Sequence, residues 1–167
     1  TTTAAVVFGP EDNGYLGIDR NNALRTGSFS LVRILVRHEG AVTSLQLSND
    51  GSHVFSGGAD KVIRRTTFTD GAALGNFSGA AGAIYALALS GDGKRLVAST
   101  LGGVHHWDMP AAAADQAVDV TGLIAQEGLP GQVAVNMDGS RILSADAKSV
   151  IRILDVASGL ELEQLQG

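Results

Sequence analysis

Three times along the chain, a short run alternates apolar and polar residues, turns at an Asp-Gly pair, and alternates again. Ala41 to Ser56 reads AVTSLQLSNDGSHVFS, Ala83 to Ser99 reads AIYALALSGDGKRLVAS, and Gln132 to Ser144 reads QVAVNMDGSRILS. A period of two marks a strand with one face buried. An Asp-Gly pair supplies residues that tolerate the positive φ of a tight hairpin turn, so each unit predicts a β-hairpin. A third strand follows each one: Lys61 to Phe68 (KVIRRTTF), Gly103 to Met109 (GVHHWDM) and Ser149 to Val156 (SVIRILDV). A weaker outer strand follows at Ala73 to Phe77, Ala117 to Thr121 and Glu161 to Leu165, with Asp70-Gly71 and Ser158-Gly159 marking two of the turns before it.

The Asp-Gly pairs at 50, 92 and 138 stand 42 and 46 residues apart, the spacing of a four-stranded propeller blade. The first 40 residues fit the same unit without its beginning: Ala4 to Phe8 as second strand, Tyr15 to Asp19 as third after the turn Asp12-Asn13-Gly14, and Leu31 to Arg37 as outer strand. The expectation is an all-β chain, a β-propeller segment of four-stranded antiparallel blades. Three blades are complete and one lacks its innermost strand, with approximate bounds 1–40, 41–79, 80–125 and 126–167. The third unit is longer by the stretch Pro110 to Gln116 (PAAAADQ), a loop or one helical turn.

These units resemble the WD40-repeat family. Trp107-Asp108 matches the dipeptide that names it, and Leu154-Asp155 and Ile18-Asp19 occupy the same place. His38 lies just before the first strand of its unit, as the family's Gly-His does. The resemblance implies a hydrogen-bonded tetrad of His, Ser or Thr, Asp and Trp inside a blade. His38, Ser56 and Asp60 sit at three matching positions and Thr66 at the fourth, leaving that tetrad incomplete. Asp12 matches the Asp of the first unit. The third has Ser99, Trp107 and Asp108, and the fourth has Ser144 and Asp155, with Lys148 or Asp146 near the Asp place. Ser56, Ser99 and Ser144 read as one recurring position with a structural duty, since a nucleophile is normally unique and paired with a base.

Composition narrows the function. With 44% hydrophobic and 17% charged residues the chain has material for a core, unlike a disordered segment. A net charge of −5 lacks the basic field that a phosphate backbone requires, so no nucleic-acid partner is expected, and no membrane span is expected either. There is no cysteine, which excludes disulfides and thiolate metal sites. The chain starts at Thr1 without a signal-peptide pattern and reads as a mature product, a proteolytic piece or a trimmed chain.

Candidate chemistry is sparse. His105 and His106 point to opposite strand faces and do not converge on a metal. The Asp-Gly loops offer one or two carboxylates each, too few for calcium. No catalytic motif is present, and neither enzyme activity, metal nor cofactor is expected. Arg33, Arg37, Arg64, Arg65 and Arg152 form either a solvated face with salt bridges or a basic patch for an acidic peptide. The expected function is a non-catalytic protein-protein interaction scaffold that binds a protein or peptide through Glu39, Asp60, Lys61, Arg64 and Arg65, with Asp12 and Asn13 as further loop candidates. The alternative is a docking segment of a larger enzyme. Because WD40 domains usually close with seven or eight blades, the end faces of this arc would expose apolar surface. Three resolutions follow: a fragment of a longer propeller, self-association of two halves, or a complementary chain.

Overall fold

A computed structural model describes residues 6–8, 15–18, 23–28, 31–109, 121–125, 130–146, 148 and 150–166. They form sixteen strands in four antiparallel sheets. The first sheet holds β1 (Val6–Phe8), β2 (Tyr15–Ile18), β3 (Ala23–Ser28) and β4 (Leu31–Arg37). The second holds β5 (Val42–Leu47), β6 (His53–Gly58), β7 (Ile63–Thr67) and β8 (Ala73–Phe77). The third holds β9 (Ile84–Leu89), β10 (Arg95–Thr100), β11 (Gly103–Asp108) and β12 (Gly122–Ala125). The fourth holds β13 (Pro130–Val135), β14 (Arg141–Asp146), β15 (Val150–Asp155) and β16 (Glu161–Gln166). In every sheet the strands pair in chain order. The opening strands β5, β9 and β13 pack against one another, which makes them the inner edge of an all-β propeller arc.

Two elements differ from the sequence expectation. The first sheet has four strands rather than three, because β3 pairs with both β2 and β4. Its sequence, ALRTGS, has no period-two apolar signal, and two flanking ladders hold it in place. The outer strand of the third sheet is Gly122–Ala125, further along the chain than expected. Residues Asp12, Asn13 and Asp19 and the stretch 110–116 lie outside the described residues.

The Asp-Gly turns divide their labour between the two residues. Gly51, Gly93 and Gly139 take φ values of 69°, 71° and 73°, the left-handed region that favours glycine. The aspartates stay out of that region and act as caps instead. Asp50 Oδ1 accepts from the Ser52 amide at 3.0 Å and the Ser52 hydroxyl at 2.7 Å. Asp92 caps Lys94 and Asp138 caps Ser140 in the same way. The turns also tie one blade to the next. Asn49 Nδ2 donates to the Gly91 carbonyl at 2.8 Å, the Asp92 amide to the Met137 carbonyl at 2.7 Å, and Arg95 Nη1 to the Gly139 carbonyl at 2.7 Å.

Register assigns every strand residue to one of two blade faces. Pairs Val54–Thr66, Leu96–Trp107 and Ile142–Leu154 stand at one repeat position, and all six residues are buried on the face toward the preceding blade. The opposite face meets the following blade. Phe55, Ile63 and Phe77 of the second sheet join Ile84, Leu87, Leu96 and Trp107 of the third in one core cluster. Val97, Val104 and Ile124 of the third join Ile142 and Leu154 of the fourth. The core thus lies between blades, and each interface depends on the alternation of two adjacent sheets.

Candidate functional site

Among the described residues, the densest polar network sits at the end of the second sheet, where the segment before β5 meets the β6–β7 turn. That turn reverses the chain at Lys61, which takes a φ of 66°, and it aims Asp60 inward. His38 Nδ1 lies 3.0 Å from Asp60 Oδ1, and His38 Nε2 lies 2.8 Å from Ser56 Oγ. A carboxylate only accepts, so Nδ1–H donates to Asp60 and Nε2 is left to accept from the Ser56 hydroxyl. Arg64 Nη1 donates to Asp60 Oδ2 at 2.7 Å. The same nitrogen lies 2.7 Å from His38 Nδ1, but a nitrogen that donates to Asp60 has no lone pair for it, so the pairing that counts is Arg64 with Asp60. Asp60 also accepts from the Glu39 and Val62 amides.

Thr66, in the fourth place implied by the resemblance, stays out of this network. Its side chain is buried on the preceding-blade face and its Oγ1 has no partner. Arg64, directly opposite Ser56 in the ladder, closes the network instead. Sequence reading left Arg64 among surface arginines; its register opposite Ser56 is the signal that places it.

The fourth sheet repeats the plan in reduced form. Ser144 stands opposite Arg152, and Arg152 Nη1 donates to Asp146 Oδ2 at 2.8 Å while its Nε lies 3.2 Å from Glu161 Oε2. Of the two residues near the Asp place, Asp146 makes this bond; it also caps the amides of Lys148 and Val150. Asp155 caps the following turn through Ser158.

The third sheet departs from the plan. Ser99 does not share the position of Ser56 and Ser144. Counting from each turn glycine, the matching residue is Ala98, which stands opposite His105. Ser99 faces the other way and donates to the Gly131 carbonyl of the next blade at 2.7 Å. Trp107 Nε1 donates to the Ser78 carbonyl at 2.8 Å, and Asp108 pairs with Arg95 at the surface. Ser99, Trp107 and Asp108 therefore do not converge. His105 takes the place of Arg64, stacks on Trp107 at 6.1 Å between centroids and bonds Thr100.

Among the candidate binding residues, Glu39 is exposed and Lys61 is exposed at the turn tip. Asp60 and Arg64 are spent on each other. Arg65 lies over the Phe55 ring at 5.8 Å, half-buried. Sequence reading missed Tyr85 and Leu101, both exposed at this same end of the blades. Tyr85 falls at a β-bulge, since Thr100 pairs with Ile84 and Ser99 with Ala86. Such a bulge re-aims its residue, and Thr43 is skipped in the same way in the second sheet.

Burial lowers the pKa of His38, His53, His105 and His106. For His38 burial is the largest influence, and with the smaller push of the Arg64 cation it outweighs the hydrogen bond and charge of Asp60, which favour the protonated ring. Burial opposes the Asp60 carboxylate, but hydrogen bonds from His38 and Arg64 hold its pKa below the usual range. The unfolded histidines titrate near 6.5 and the folded ones lower. Below about pH 6.5 the unfolded chain therefore binds protons that the folded chain does not, and stability falls with falling pH. The melting temperature is expected to be flat above pH 7 and to drop between pH 6.5 and 5. Each histidine contributes at most about 1.4 kcal/mol per pH unit. A melting series on His106→Asn, whose ring Nδ1 has no partner, should show a shallower slope.

Residues 29–64 and 71–108 match the family model of the WD domain, G-beta repeat. Each matched segment begins near the outer strand of one sheet and ends in the third strand of the next, so the sequence repeat straddles two blades. No curated protein matches the chain.

Proposed function

The chain carries WD40 repeats, a fold that generally mediates protein-protein interaction, and from that premise we propose that it is a non-catalytic scaffold that docks a protein or peptide on the blade end bearing Glu39, Lys61, Tyr85 and Leu101. The observation that carries this reading is the Asp60 network. It fixes the segment at His38 and the turn at Lys61 to one rigid frame, so Glu39 and Lys61 are presented with little conformational freedom to lose on binding. Tyr85 supplies the kind of aromatic anchor on which interface energy concentrates. Ser56, His38 and Asp60 lie in the order of a nucleophile, base and acid, but Ser56 is only 1% exposed, so a substrate has no path to its hydroxyl. The acidic net charge favours a peptide over a nucleic acid as the docked partner.

Peptides selected from a random library on the folded chain test this reading. Lys61→Glu and Tyr85→Ala are expected to weaken the selected peptides at least tenfold in a fluorescence titration, with the melting temperature unchanged. Undiminished binding to both variants would overturn it.

A further inference from the structure

Counted from the turn glycines, the second, third and fourth sheets correspond residue by residue, and at one position they differ in size. Trp107 of the third sheet and Leu154 of the fourth stand at the same place, opposite Leu96 and Ile142. The Trp107 ring has three neighbours: Phe77 edge-on at 6.3 Å, His105 in a stack at 6.1 Å, and the Ser78 carbonyl, which accepts its Nε1–H at 2.8 Å. The places of those neighbours recur one blade on. Ile124, opposite Val104, holds the place of Phe77, opposite Ile63, so Ala125 follows where Ser78 follows. Arg152, opposite Ser144, holds the place of His105, opposite Ala98. A leucine does not fill the space of an indole. Between the third and fourth sheets lies a cavity of about 310 Å³, whose lining includes Ile124, Ala125, Arg152, Leu154, Glu161 and Gln164.

We propose that this cavity takes the indole ring of a tryptophan side chain from a partner peptide. Trp107 is the internal template for that occupant. The Ala125 carbonyl stands where the Ser78 carbonyl receives the indole N–H, and Ile124 supplies the apolar wall that Phe77 supplies there. Arg152 presents a planar guanidinium where His105 stacks, and a guanidinium over an indole face is a favourable cation–π pair. Its bonds to Asp146 and Glu161 hold the guanidinium in one geometry, so little freedom is lost on binding. A cavity of this volume stands at the lower end of the range of ligand pockets and suits a single ring. Glu161 and Gln164 are exposed and mark its opening, between β12 and β16. These are the outermost strands of their sheets, and such an edge can hydrogen-bond an extended peptide that carries the ring. Tryptophan is among the residues on which interface energy concentrates. Glu39, Lys61, Tyr85 and Leu101 are not part of this lining, so the docking end and this cavity can fail separately.

Isothermal titration calorimetry of the folded chain with the peptide Gly-Gly-Trp-Gly-Gly tests it. Saturable one-to-one binding with a Kd below about 1 mM is expected. The same peptide with leucine in place of tryptophan should bind about tenfold more weakly or worse, and N-acetyl-tryptophan amide more weakly than the tryptophan peptide. Leu154→Trp places a ring of the chain's own in the cavity and is expected to abolish binding while the β-sheet circular dichroism spectrum is kept. Gln164→Trp lies at an exposed position that does not endanger folding. It crowds the opening and should weaken the peptide about tenfold. Lys61→Glu should leave this binding unaltered. Absence of saturation, equal binding of the leucine peptide, or an affinity indifferent to both Leu154→Trp and Gln164→Trp would each overturn the proposal. An amide that binds as tightly as the peptide would overturn the partner peptide as the source of the ring.

Discussion

Replacing Trp107 by alanine is expected to lower folding stability by about 3–5 kcal/mol, a large share of the total for a domain this size. Trp107 is fully buried and fills the interface of the second and third sheets. Its ring meets Phe77 edge-on at 6.3 Å and His105 in a stack at 6.1 Å, and it shares a cluster with Phe55, Ile63, Ile84 and Leu96. The buried members of that cluster are aromatic, branched or short, and Met109, the long unbranched side chain packed against it, is only partly buried, so much of the cavity persists and its cost adds to the lost transfer energy. Trp107→Phe separates volume from hydrogen bonding. It keeps most of the packing but removes the hydrogen bond from the indole N–H to the Ser78 carbonyl, at about 1 kcal/mol. Because Trp107 is the chain's single tryptophan, its fluorescence follows this interface in wild type, and urea unfolding of both variants is read by circular dichroism. An alanine variant within 1 kcal/mol of wild type would mean that the two sheets are not coupled through this ring.

Trp107 also shows where sequence reading stopped. The dipeptide Trp107-Asp108 was legible, as were the hairpins, because Asp-Gly flanked by alternating residues is a local signal. What the tryptophan does was not. Its partner is a backbone carbonyl 29 residues away, and only the register of β10 and β11 sets its face. The same reason explains Ser99. By eye, LVAS aligns with HVFS, but the ladder counts from the turn glycine, and that count puts Ala98 in the place of Ser56. One residue of slip moves a side chain to the opposite face, which turns a supposed blade-internal serine into a bond to the next blade. Strand β3 was missed for a different reason: ALRTGS has little apolar character of its own, and its neighbours on both sides hold it. The Asp60 network was half legible. His38, Ser56 and Asp60 stand at spacings the family uses, while Arg64 in a strand reads as a solvent-facing charge until its position opposite Ser56 is known.

That arginine sets the terms of the second large effect. Asp60→Ala is expected to cost about 2–4 kcal/mol, because removing one partner of a buried charge network leaves the others uncompensated. The Asp60 and His38 side chains are nearly sealed, and Arg64 is one-fifth exposed, which places the figure below that of a fully buried pair. His38 loses its only carboxylate acceptor, Arg64 keeps its cation without a counter-charge, and the amides of Glu39 and Val62 lose their cap. Arg64→Ala alone leaves Asp60 with His38 and two amides and should cost less, about 1–2 kcal/mol. The double variant is the decisive measurement. With both charges gone, much of the penalty of Asp60→Ala is that of a stranded Arg64, so the double loss should fall short of the sum of the single losses by about 1 kcal/mol or more. Strict additivity would show that the two residues act independently despite their 2.7 Å contact. The surface pair Arg95–Asp108 is the control. Asp108 is half exposed, and Asp108→Ala should change stability by no more than about 0.5 kcal/mol. Since the Asp60 carboxylate has its pKa held below the usual range, its contribution is present above about pH 4 and is lost as the pH falls further through the folded value. Wild type and Asp60→Ala should therefore converge in stability at acid pH, at a lower pH than the histidine-driven decline.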